Sequence, residues 1–114
     1  MIKVKFGIIE DIGETQKYSY DPEKYQCVYI HDDIYIDDWW DNLVLLKTYF
    51  HSLNRPEFGL ARWGITLIPP ESLSGFQEIV LSDRRINEDA QLRELADKIQ
   101  DAISRNKFMI HLGV

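Results

Sequence analysis

Cysteine is almost missing from this chain: among 114 residues Cys27 stands alone. No intrachain disulfide can form, which fits a reducing compartment, and the expected location is the cytoplasm. Cys27 sits in the apolar run Tyr25-Gln26-Cys27-Val28-Tyr29-Ile30, where a thiol serves as a small core residue. Long apolar runs are missing too. None reaches the roughly 18 residues needed to cross a bilayer. The first six residues alternate apolar and basic side chains, unlike the continuous apolar stretch of an export signal.

The usual signatures of chemistry are also missing. The six glycines build neither a phosphate-binding loop nor a dinucleotide turn. There is no Gly-x-Ser-x-Gly elbow, and no cysteine pair or His-x-x-x-His spacing that could hold zinc. His31, His51 and His111 are scattered. No cofactor is implied, and a non-catalytic protein is expected.

Basic residues are few beside acidic ones, 13 against 19, for a net charge of −6. The excess is local. Residues 1–41 carry ten acids and four bases, whereas residues 42–114 carry nine of each. Such a surface repels nucleic acid backbones and anionic membranes and attracts a basic protein partner. Plain solubility is the simpler use of the same charge.

What is present is enough apolar and aromatic material for a core. Apolar residues make up 45% of the chain, with three Trp, six Tyr and five Phe. The length is that of a single domain. Alternation over residues 2–9 predicts a first strand, with Ile2, Val4, Phe6 and Ile8 on one side and Lys3 and Lys5 on the other. A polar loop follows over 10–16, with a short strand expected over 17–20. A turn or single helical turn is expected at Asp21-Pro22-Glu23-Lys24 and a strand over 25–30.

Trp39, Leu43, Leu46, Phe50 and Leu53 recur at helical spacing, which predicts one long helix over 38–53 capped by Asp37 or Asp38. Pro56 closes it. A strand is expected over 63–68, then a helix entered through Pro70 with Leu73, Phe76, Ile79 and Val80 inward. A third helix, capped by Asn87, would bury Leu92, Leu95, Ala96, Ile99 and Ile103. The final strand, 107–112, is apolar on both sides and reads as central. The expected fold is α/β (α+β): a mixed sheet of four to five strands with about three helices packed on it.

The segment from His31 to Asp41 is the most distinctive, with Asp32, Asp33, Asp37, Asp38 and Asp41 within eleven residues. One reading is a divalent-cation site at His31, Asp32, Asp33 and Asp37, since hard cations take oxygen ligands. The spacing does not fit a calcium-binding EF-hand loop. A simpler reading has these residues making a turn and capping the helix. A third reading is a partner-binding patch of Asp32, Asp33, Asp37, Asp38, Trp40, Asp41, Val44 and His51. On one helix, Trp40, Val44, Lys47 and His51 share a flank, an aromatic anchor with a charged rim. Small size, acidity and missing motifs together suit a bacterial protein-binding module, of the immunity type that neutralises a toxin by occupying its surface. The alternative is a small metal- or ligand-binding protein, with or without catalysis.

Overall fold

The computed structural model describes residues 2–10 and 22–113. The expected loop over 10–16, apart from Glu10, and the expected strand over 17–20 lie outside them. Among the described residues there are six strands: β1 (Lys3–Ile9), β2 (Val28–His31), β3 (Lys47–Phe50), β4 (Pro56–Phe58), β5 (Ile65–Ile68) and β6 (Phe108–Leu112). The α-helices are α1 (Pro22–Tyr25), α2 (Asp37–Leu43), α3 (Pro70–Leu81) and α4 (Ala90–Arg105). The strands form one sheet in the order β2-β1-β6-β5-β3-β4.

Every neighbouring pair runs antiparallel, so the sheet is neither mixed nor limited to five strands. The fold is α+β. As its double-sided apolar pattern indicates, β6 is internal, between β1 and β5. Strand registers sort the side chains by face. Val4, Phe6 and Ile8, with Ile30, Ile68 and Met109, lie under the helices in a core with Leu73, Phe76, Val80, Leu92, Leu95 and Ile99. On the other face Ile9, Ile65, Leu67, Ile110 and Leu112 gather with Tyr25. Gly7 is required there: a Cβ would stand 2.6 Å from Tyr25 Cβ and 2.8 Å from Cys27 Sγ.

The long helix over 38–53 does not form. Its apolar spacing suits a helix, yet Thr48, Tyr49 and Phe50 are good strand formers. As β3, this stretch gains ladders to β4 and β5. Thr48 is buried and donates its hydroxyl to the Gly59 carbonyl at 2.6 Å. Helix therefore stops at Leu43, and Val44, Leu45 and Leu46 turn the chain into the sheet. At the other end, α2 is entered through a π-helical turn over Asp32–Ile36 that buries Asp32, Tyr35 and Ile36.

The later helices follow their sequence pattern more closely. α3 starts at Pro70, with Leu73, Phe76 and Val80 buried. α4 buries Leu92, Leu95, Ala96, Ile99 and Ala102. Its cap is Asp89, which accepts from the Gln91 N–H at 2.9 Å, not Asn87. Arg84–Asn87 is instead a 3-10 turn capped by Asp83. Asn106 ends α4 in the left-handed conformation (φ 54°), as a C-terminal cap often does. No helix of the described residues is long and apolar enough to cross a membrane.

Candidate functional site

The acidic segment is organised by two arginines that lie far from it in sequence. Arg62 bonds Asp32 Oδ2 through Nε at 3.2 Å and Nη2 at 3.0 Å, and also pairs with Asp37. Its guanidinium carbon lies 5.2 Å from the centroid of the Trp40 ring, a cation–π arrangement. The bonds to Asp37 and Asp32 raise the Arg62 pKa further above its usual value, against the effect of burial.

The loop that carries Arg62 is fixed by the sheet. Ala61 N–H donates to Thr66 Oγ1 at 2.7 Å, Gly64 N–H to the Ala61 carbonyl at 2.9 Å, and Gly113 N–H to the Gly64 carbonyl at 2.8 Å. Gly113 packs so closely that a Cβ there would collide with the Arg62 backbone carbonyl.

Arg85 does the same on the other side of α2. It bridges Asp38 Oδ2 at 3.0 Å and Asp83 Oδ2 at 2.7 Å. Asp83 also accepts the Trp39 indole N–H at 2.9 Å. The Arg85 bonds, chiefly, hold the Asp83 carboxyl down at about 2. The Arg85 guanidinium lies 4.5 Å from the Tyr35 ring centroid, and the Tyr35 hydroxyl donates to Asp89 Oδ2 at 2.5 Å. Burial first, then Asp89, pushes Tyr35 up to about 12.

These contacts replace the expected capping role of the aspartates. α2 has no side-chain cap bond; Asp32, Asp37 and Asp38 are spent on arginines instead. Asp32 is withdrawn from solvent, at 7% exposure, and offers a partner little surface. Asp33 and Asp41 are exposed and take part in no ion pair among the described residues. Trp40 is half-buried against the core. Val44 and Leu45 stand at 38% and 73% exposure.

The flank of Trp40, Val44, Lys47 and His51 is not assembled, because α2 ends before it. Val44 follows α2 and packs toward Gly59, whereas Lys47 begins β3. His51 follows β3 with φ 68°, donates its N–H to the Ile65 carbonyl at 2.9 Å and lays its ring against Gly64. The surface that remains is Asp33, Asp37, Asp38, Trp40, Asp41 and Val44, extended by Leu45. Sequence reasoning missed Arg62 and Asp83 altogether and did not tie Arg85 to this segment. Their signal was thin: cations and one carboxylate in loops, pairing across 25 to 47 positions.

Among the described residues no group of three His, Cys, Asp or Glu side chains is placed to hold a metal ion. Two polar atoms of the proposed cation ligands themselves, His31 Nδ1 and Asp32 Oδ1, are buried without a hydrogen-bond partner among the described residues. Hydroxyls and the buried imidazole elsewhere serve the fold. Ser72 donates to the Lys47 carbonyl at 2.6 Å. His111 is fully buried, with Nδ1 3.2 Å from Thr66 Oγ1 and Nε2 without a partner among the described residues. Burial drives its pKa down to about 3, so the ring is neutral. The arrangement around α2 is one of arginine–carboxylate pairs with exposed apolar side chains at Val44 and Leu45. The chain matches no family model, no curated protein and no solved structure.

Proposed function

We propose that this chain is a non-catalytic protein-binding module that engages a basic partner on the acidic and aromatic surface of α2, in the manner of an immunity-type protein that covers a toxin. One observation supports this most. Asp33 and Asp41 are exposed and in no ion pair among the described residues, in the same segment as Trp40, Val44 and Leu45, while Arg62 and Arg85 clamp Asp32, Asp37 and Asp38. Free carboxylates at the rim steer a cationic partner, and an aromatic anchor with apolar neighbours supplies the contact that holds it. The arginine clamps lower the ordering cost of binding, because Asp32, Asp37, Asp38 and Trp40 already have neighbours that fix them.

The test is affinity capture from a lysate of the source cells, with the wild-type protein and an Asp33→Lys/Asp41→Lys variant. Both side chains are exposed, so the variant should keep the wild-type thermal midpoint. The expected result is a basic protein retained by the wild type, released by salt and not retained by the variant. A partner held equally by both proteins would place recognition elsewhere.

A further inference from the structure

Between α2 and α3 the surface opens into a cleft of about 620 Å³. Its apolar lining comes from Trp39, Leu45, Leu46 and Ile79. Leu46 from the turn after α2 meets Gly75 of α3 so closely that a Cβ at Gly75 would stand 2.8 Å from Leu46 Cδ2. Ile79 continues this lining along α3, and Leu45 rises from the α2 side at 73% exposure. The rim is acidic. Asp38 stands on the α2 side and Glu78 on the α3 side, with Asp83 deeper. Among the described residues the one cation in the lining, Arg85, is already shared between Asp38 and Asp83.

A trough beside a helix has the shape that accepts a further helix packed ridge into groove. α3 is twelve residues long, about 18 Å, enough to lie beside roughly three turns of a docked helix. Charge decides which helix fits. An acidic rim around an apolar lining favours a segment with leucine-like residues on one stripe and cations on its flanks, and repels an acidic one. We infer that the α2–α3 cleft seats a basic amphipathic helix of a partner protein, with its apolar stripe on Leu45, Leu46 and Ile79 and its cations at Asp38 and Glu78. This rests on the reading of α2 as the surface that meets a basic partner, and extends that surface to α3.

The experiment uses the isotope-labelled full chain and two synthetic peptides. One, of roughly 14 residues, places leucine at i, i+3, i+4 and i+7 with lysine between. The other has the same composition, scrambled so that no stripe forms. The amphipathic peptide should shift the amide resonances of Leu45, Gly75 and Ile79 and become helical on binding. It should bind at least about tenfold more tightly than the scrambled peptide. Leu45→Lys and Glu78→Lys, both at exposed positions, should each abolish that preference without changing the thermal midpoint. Equal binding of both peptides, or no shift at the cleft with either, overturns the inference. Shifts confined to Asp33, Trp40 and Asp41 overturn it as well, yet leave the acidic surface of α2 as the docking face. Failure of the lysate capture, by contrast, bears on the wider reading.

Discussion

Acidification from about pH 7.5 to about pH 5 should cost the fold about 2 kcal/mol through one side chain, His111. The ring lies in the helix-facing core, its centroid 5.1 Å from that of Phe6, and no water reaches it. Its folded pKa is about 3, whereas an unfolded chain titrates near 6.5. Below pH 6.5 the unfolded state binds a proton that the folded state refuses, so protonation favours unfolding. The stability is fully present above the unfolded pKa and is lost progressively as pH falls toward the folded one. At pH 5, about 1.5 units below the unfolded value, the loss is about 1.5 × 1.36, or roughly 2 kcal/mol. With a urea slope of about 2 kcal/mol per molar, the midpoint should move down by about 1 M. His111→Leu removes the titrating group, so the difference in pH dependence between the two proteins isolates His111 from His31 and His51. Urea titrations of both at the two pH values provide the assay. A wild-type midpoint that stays put, or a variant with the same pH slope as the wild type, would refute the burial argument.

Three further outcomes follow from the packing. Arg62→Met should destabilise the protein by about 2–4 kcal/mol, because it strands the Asp32 carboxylate away from water; adding Asp32→Asn should recover part of that loss in denaturant titrations. Gly7→Ala should cost about 2–3 kcal/mol by thermal melting, since the new methyl meets the Tyr25 backbone and Cβ within 2.7 Å. Asp83 titrates at about 2, below its ordinary 3.8, so its contribution is present above about pH 4 and is lost as pH falls toward 2; Asp83→Asn should flatten that acid limb of the stability curve.

The sequence was legible where local pattern and tertiary packing agree. Alternation marked β1, and the double-sided apolar run of β6 marked it as internal. Pro70 marked the start of α3, and the 3.6-residue stripe of Leu92, Leu95, Ala96 and Ile99 marked α4. It was misleading over 44–53, where the same apolar spacing fits a helix while strand pairing with β4 and β5 decides the outcome. Antiparallel pairing across the whole sheet was also hidden, because the order of strands depends on long-range contacts that periodicity does not encode. At the site, the clustering of aspartates was plain, but their employment was not. Asp32 pairs with a residue thirty positions away, and Asp38 with one forty-seven positions away. Capping, a local use of an aspartate, is the one that sequence reveals.

Recognition of a basic partner by the exposed carboxylates of Asp33 and Asp41 is best probed by association kinetics with the captured partner. The rate constant would be measured for the wild type and for Asp33→Lys/Asp41→Lys at low and at physiological salt. The wild-type rate should fall by about tenfold or more as salt rises, and the variant should be slow at low salt. A rate indifferent to both salt and charge reversal would contradict that mode of recognition.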